Sequence, residues 1–106
     1  MTEKTIVIFR KWDKSPNSII AIFPEELGDS DIGTCLSYQH IGQHSACDPV
    51  YLIKKTLRAS PPEYADLKEE LESLGYNLHV VQRNHSHHYT SARLKKLSAV
   101  EKGASQ

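Results

Sequence analysis

Long apolar runs are missing from this sequence. The run near its start, Ile6 to Phe9, has four residues, whereas a membrane span needs about 20 and the apolar region of a signal peptide about 7 to 15. We therefore expect a cytoplasmic protein without a membrane role. Cysteine is also scarce, with only Cys35 and Cys47. Since a reducing cytosol disfavours structural disulfides, we expect both to be free thiols.

Local signatures of several enzyme classes are missing as well. The sequence contains no glycine-rich phosphate loop, no zinc-ribbon cysteine spacing and no Gly-x-Ser-x-Gly elbow. An excess of one charge is also lacking, because Lys plus Arg and Asp plus Glu number 13 each. The balance is uneven along the chain: residues 1–81 carry 8 basic and 12 acidic side chains, and residues 82–106 carry 5 and 1. A basic tail of this kind either attracts an anionic partner or folds back on its own acidic domain.

The length of 106 residues suits one domain with one core. Residues 5–12 and 18–23 are rich in β-branched and aromatic side chains and flank a Pro-Asn-Ser turn, which predicts a β-hairpin ended by Pro24. Residues 34–40 alternate between two faces and predict a third strand. Residues 76–82 predict a fourth.

Two helix starts carry strong capping signals. Asp48 followed by Pro49 predicts a short helix to about Lys55. Ser60 followed by Glu63 predicts a capping box and a longer helix that ends at Gly75. The fold class is therefore α+β: a mainly antiparallel four-stranded sheet, in the chain order β-β-β-α-α-β, with both helices packed on one face. We expect one domain over residues 1–83 and a basic, His-rich, mobile tail over 84–106, with a marginal helix near 91–100.

The stretch from Ser37 to Asp48 holds an unusual density of groups that bind or react. Planar and aromatic side chains there suit hydrogen bonding and stacking, so we predict a binding site at Tyr38, Gln39, His40, Gln43 and His44. Our first hypothesis is a binding or regulatory module that acts by contact with a protein partner or, as a homodimer, with itself. Arg10, Lys11 and Trp12 would add a phosphate-binding edge if the first strand ends beside this loop.

A metal-dependent enzyme is the alternative hypothesis. His40, His44 and Asp48 are spaced four and four, and two histidines with one carboxylate can hold zinc or iron with coordination positions left open. A separate chemical option without a metal is a nucleophilic pair of Cys47 with His44 or His40. The metal site would favour a hydrolase, with Cys47 as a substitute ligand. Against this, Asp48 is already explained as a helix cap, and the histidines can simply hydrogen-bond within the loop.

The tail supports a third hypothesis, a nucleic-acid binder. Histidines bind metal opportunistically and basic side chains contact phosphates, so we predict tail contacts at His85, His87, His88, Arg93, Lys95 and Lys96.

Several segments resemble a family of small bacterial proteins without assigned function. The resemblance covers about residues 5–83 and rests on Val7 to Lys11, Ile19 to Pro24, Tyr38 to His44, and Pro62 to Leu67 followed by Gly75 and Tyr76. It implies a self-contained domain of this size, and no activity is attached to the family.

Overall fold

The computed structural model describes residues 4–12, 18–28, 33–39 and 43–104. Their strands are β1 (Thr5–Lys11), β2 (Ile19–Leu27), β3 (Cys35–Gln39), β4 (Gln43–Cys47), β5 (Leu57–Arg58) and β6 (Leu78–Val80), and their helices are α1 (Pro49–Lys55), α2 (Pro61–Ser73) and α3 (Ser86–Ala104). The α+β class is confirmed. None of the helices in these residues is long and apolar enough to cross a membrane.

The sheet has six strands in the described residues, so the prediction of four was wrong. Its order is β4-β3-β2-β1-β5 with antiparallel neighbours. The remaining strand, β6, pairs in parallel with the start of β1, where Thr5 lies opposite Leu78. The outer edge of β1 is thus shared, because β6 pairs with its first half and β5 with its second half.

The two faces of the sheet carry separate apolar clusters. Because side chains alternate along a strand, Val7 and Phe9 lie on one face and Ile8 on the other. The first cluster, on the α2 face, includes Tyr64, Leu67 and Leu71 from α2. The second, on the α1 face, includes Leu52 from α1. The prediction that both helices cover one face is therefore not confirmed.

The capping predictions account for the helix boundaries. Asp48 accepts hydrogen bonds from the backbone N–H groups of Val50 at 3.0 Å and Tyr51 at 3.2 Å. The Glu63 carboxylate accepts from both the backbone N–H and the hydroxyl of Ser60, each at 2.9 Å. Gly75, with a φ of 106°, follows the last turn of α2, a backbone conformation that glycine adopts without a steric penalty.

Strand β2 continues past the predicted end at Pro24 to Leu27, with a register shift between Phe23 and Leu27. An irregularity of this kind accommodates proline, because proline cannot donate to the strand ladder. Helix α3 packs against this part of β2, and the buried Arg93 donates to the Pro24 carbonyl oxygen at 2.6 Å. The helix is longer than the predicted 91–100. The mobility expected of residues 84–106 stays a prediction.

Candidate functional site

The sheet divides the predicted Tyr38–Asp48 site between its two faces. Tyr38 and His44 are opposite one another on β3 and β4, and Tyr38 belongs to the cluster on the α2 face. Alternation places the exposed Gln39 on the α1 face. The backbone of Gln43 pairs with Gln39. His40 lies outside the described residues, so the binding role predicted for the five residues stays a prediction.

On the α2 face, Tyr38 and His44 belong to a group of side chains that we call the hairpin cluster: Phe23, Tyr38, His44, Glu70 and Tyr76. The Tyr38 hydroxyl donates to the Glu70 carboxylate, and the His44 Nε2 lies 2.8 Å from the Tyr76 hydroxyl. The rings of Phe23 and Tyr76 are stacked with centroids 5.1 Å apart. Burial, with a smaller contribution from Glu26, raises the pKa of Tyr76. These contacts bind the hairpin to the rest of the domain.

The predicted metal ligands have other contacts. His44 is hydrogen-bonded to Tyr76, and the Asp48 carboxylate accepts from the first turn of α1. Within the described residues, no three His, Cys, Asp or Glu side chains are grouped to hold a metal. Because His40 is not among them, the zinc or iron site and the hydrolase hypothesis stay predictions.

One predicted nucleophilic pair consists of Cys47 and His44, and the structure places these two side chains on opposite faces of the sheet. Cys47 packs with the cluster on the α1 face, whereas His44 contacts Tyr38 and Phe23 on the α2 face. Cys47 is three positions after His44, and an odd separation along a strand places side chains on opposite faces. His44 is therefore not placed to act as a base for Cys47.

The predicted tail residues lie on or just before α3. Two of them contact acidic side chains of β2: Lys96 is paired with Glu26, and the His88 Nε2 lies 3.6 Å from the Glu25 carboxylate. The His85 ring lies edge-on to Tyr89, at a centroid distance of 5.8 Å. Arg93 is buried, and His87 and Lys95 are exposed. The contacts of Arg93 and Lys96 therefore hold two of the tail's positive charges against β2.

A second site, which the sequence interpretation did not identify, lies on the α1 face. It is a pocket of about 410 Å³ at the place where the edge of β1 passes from β6 to β5. We call it the cationic pocket because four of its eight lining residues are basic: Arg10, Lys54, Arg58 and Arg83. The other four are Val50, Ile53, Gln82 and Asn84.

Arg10 is held rigidly at the pocket by the end of α1. Its Nε donates to the Thr56 hydroxyl at 3.0 Å, and its Nη2 donates to the carbonyl oxygens of Ile53 at 3.0 Å and Thr56 at 2.6 Å. A guanidinium has five N–H donors. The two donors on Nη1 have no acceptor within the described part of the chain.

The charges of the pocket repel one another. Arg10 and Arg58 are direct partners across β1 and β5, and like charges in that position are destabilising. Burial, followed by the nearby Arg58, lowers the pKa of Arg10. The lining includes no Asp or Glu, and Lys54, Arg58 and Arg83 form no ion pair with other described residues.

Asn84 adds an unsatisfied polar atom beside these cations. It lines the pocket, and its buried Oδ1 has no hydrogen-bond partner among the residues described. Leaving a buried acceptor unpaired costs about 1–3 kcal/mol. Uncompensated groups of this kind are rare in folded proteins. The pocket therefore combines two features that weaken the free protein, and an anionic ligand can relieve the first of them, the repulsion between the cations.

The sequence contained only part of the signal for this pocket. The sequence predicts Arg10 only as part of a phosphate-binding edge beside the Tyr38–Asp48 loop. In the structure Arg10 and Gln39 both pair with Ile20, so two strand spacings separate them on the same face. Lys54, Arg58 and Arg83 are distant from Arg10 along the chain, and no local motif connects them. Which of these cations lack a nearby carboxylate can be seen only in the folded structure.

Comparisons with protein-family models, with curated proteins and with solved structures give no match. The resemblance to a family of small bacterial proteins therefore stays a prediction, and the site is interpreted from its own geometry.

Proposed function

We propose that the protein is a small binding module that recognises an acidic segment of a protein partner through the cationic pocket. The proposal keeps the contact function expected from the sequence and moves its main site from the hairpin to the α1 face. The observation that carries it is the convergence of four basic side chains without a carboxylate among the lining residues.

Three lysines outside the pocket give a contrast. Lys11 is paired with Glu63, Lys68 with Glu72, and Lys96 with Glu26. The fold thus provides a carboxylate for each of these three lysines, whereas the lining of the pocket contains none. An anionic ligand would relieve the repulsion between Arg10 and Arg58 and accept hydrogen bonds from the free Nη1 donors. Hydrogen bonds between charged groups are about twice as strong as neutral ones.

Exposed apolar side chains beside the pocket favour a protein as the partner. Val50 lines the pocket and is 43% exposed, and Tyr51 on the same helix is 56% exposed. Protein interfaces combine an apolar contact area with a polar rim. An acidic peptide with an apolar side chain nearby matches both parts of this surface.

The tail offers less to a nucleic acid than its composition suggests. Arg93 donates to the Pro24 carbonyl oxygen and to the Thr90 hydroxyl, and Lys96 is paired with Glu26. Electrostatic binding to nucleic acid depends on cations that are free to neutralise phosphates. The contacts of Arg93 and Lys96 therefore favour a protein partner over a nucleic acid.

The test compares a pocket variant with a control that removes the same charge elsewhere. A fluorescein-labelled octaglutamate peptide is titrated with the full chain at low ionic strength, and binding is followed by fluorescence anisotropy. We expect Lys54→Gln with Arg58→Gln to weaken binding about tenfold, since each partly exposed charge contact contributes up to about 1 kcal/mol. The control, Lys4→Gln with Lys95→Gln, changes two exposed lysines outside the pocket and should alter affinity less than about twofold.

Two results would contradict the proposal. One is equal weakening in the pocket variant and the control, which would mean that net charge alone attracts the peptide. The other is absence of peptide binding together with tight binding of a single-stranded oligonucleotide that is lost in Lys95→Gln. That result would transfer the function to the tail.

A further inference from the structure

The two cysteines meet across the β3–β4 hairpin. Cys35 and Cys47 are direct cross-strand partners, and their Sγ atoms lie 3.6 Å apart as free thiols. Opposite residues of antiparallel strands have Cα atoms about 4.5–5.5 Å apart. Disulfides span Cα separations of about 4.4–6.8 Å. The pair is therefore already placed for a disulfide without rearrangement of the backbone.

The two thiols differ in accessibility and acidity. Cys35 is fully buried, whereas Cys47 is half-buried and belongs to β4, an edge strand of the sheet. A hydrogen bond from Cys35 lowers the pKa of Cys47, and contacts with Ser37 and Arg93 act in the same direction, against burial and Asp48. The same hydrogen bond, together with burial, raises the pKa of Cys35. Cys47 is thus the thiol that more readily becomes a thiolate.

We propose that Cys47 and Cys35 form a redox modification site that reacts with a hydroperoxide, with Cys47 as the attacking thiol and Cys35 as the resolving thiol. An accessible thiolate beside a second cysteine is the arrangement found in redox-sensing proteins. The proposal does not depend on the cationic pocket. It is compatible with a reducing compartment, where transient disulfides form during redox sensing.

The reaction balances in two steps. The Cys47 thiolate attacks one oxygen of the hydroperoxide, the O–O bond breaks, and the other oxygen leaves with a proton as an alcohol, or as water from hydrogen peroxide. Cys47 is then a sulfenic acid. The Cys35 sulfur attacks the Cys47 sulfur, the S–O bond breaks, and water leaves with the proton of Cys35. The thiols lose two electrons in total, the peroxide gains them, and a dithiol reductant restores the pair.

The test uses the reduced full-length protein and an equimolar amount of hydrogen peroxide. Intact-mass spectrometry should show the loss of two hydrogen atoms, and peptide mapping should show a Cys35–Cys47 disulfide. The disulfide should raise the midpoint of thermal unfolding by on the order of 10 °C, and dithiothreitol should reverse the shift. No disulfide, or oxidation directly to sulfinic acid, would overturn the proposal.

Two single variants test the roles of the thiols. Cys35→Ser should stop at a sulfenic acid on Cys47 that dimedone traps, whereas Cys47→Ser should give no dimedone adduct because the remaining thiol is buried. Equal trapping in both variants would contradict the assigned order. Circular dichroism detects whether either variant fails to fold. In that case the test is the rate at which the wild-type protein reacts with hydrogen peroxide. A rate with peroxide no greater than that of free glutathione would contradict an activated Cys47.

Discussion

The hairpin cluster and the cationic pocket lie on opposite faces of the sheet and differ in how their polar groups are satisfied. In the cluster, Tyr38 donates to Glu70 and His44 is hydrogen-bonded to Tyr76. In the pocket, Arg10 faces Arg58 across two strands and no carboxylate lines the space. Tyr38 and His44, two residues of the binding site predicted from the sequence, are therefore paired within the fold. The cationic pocket, whose charges lack carboxylate partners, is formed by residues that belong to no local sequence motif.

The largest effect expected of this difference is on stability. Phe23 is fully buried and stacks on Tyr76 beneath the hairpin, so Phe23→Ala should lower the free energy of unfolding by about 3–5 kcal/mol. Val50→Ala, at the exposed rim of the pocket, should change it by less than about 0.5 kcal/mol. Urea denaturation measures both. Similar values for the two variants would mean that the hairpin cluster is not a structural element.

The hydroxyl of Tyr38 gives a narrower test of the same cluster. The ring is buried, and the hydroxyl donates to the Glu70 carboxylate, so Tyr38→Phe should cost about 1–2 kcal/mol of unfolding free energy. Tyr51→Phe removes a hydroxyl from an exposed side chain and serves as the matched control with no expected change. If Tyr38→Phe is also neutral, the hydrogen bond contributes nothing net.

Removing a charge from the cationic pocket should stabilise the protein, whereas the substitutions in the hairpin cluster destabilise it. Because Arg58 lies directly opposite Arg10, Arg58→Gln should raise the free energy of unfolding by about 0.2–1 kcal/mol. The gain should shrink as salt screens the repulsion. Lys95→Gln, at an exposed site on α3, controls for the change in net charge. A loss of stability in Arg58→Gln would show that the two guanidinium groups do not oppose folding.

The smallest effect concerns a cation that does have a partner. Lys11, next to Arg10, is paired with Glu63, and hydrogen bonds from Lys11 and then Ser60 lower the pKa of the Glu63 carboxyl from 4.5 to about 2. A carboxylate with a depressed pKa stabilises the fold above its unfolded pKa, and this contribution is lost as the pH falls towards about 2. Glu63→Gln should therefore make stability less dependent on pH between about 4.5 and 2.

Unfolding curves at several pH values, compared with those of Glu72→Gln on the same helix, measure this contribution. Glu72 is paired with Lys68 over one helical turn, and such exposed pairs contribute little. An unchanged pH profile in Glu63→Gln would contradict the depressed pKa.

Local signals in the sequence accounted for much of the scaffold. Asp48 and Ser60 begin helices, and Gly75 follows the end of α2, because capping depends on residues within one turn. Strand β4 was not predicted, since Gln43–Cys47 lacks β-branched residues and becomes a strand by pairing with β3. Strand β5 has two residues, too few for any periodic pattern.

The candidate sites depended still more on tertiary structure. The predicted alternation is confirmed along Cys35–Gln39. The separation of Cys47 from His44 depends on β4 being a strand, which the sequence did not indicate. The cationic pocket required the meeting of β5 and β6 along one edge of β1, which no short-range pattern encodes.

The most direct test of the central claim follows the backbone amide resonances of the isotope-labelled protein during titration with the octaglutamate peptide. We expect the largest chemical-shift changes at Lys54, Arg58, Arg83 and Asn84, while the resonances of His44 and Tyr76 stay unchanged. Changes confined to the hairpin cluster or to α3, with the pocket resonances unaffected, would contradict it.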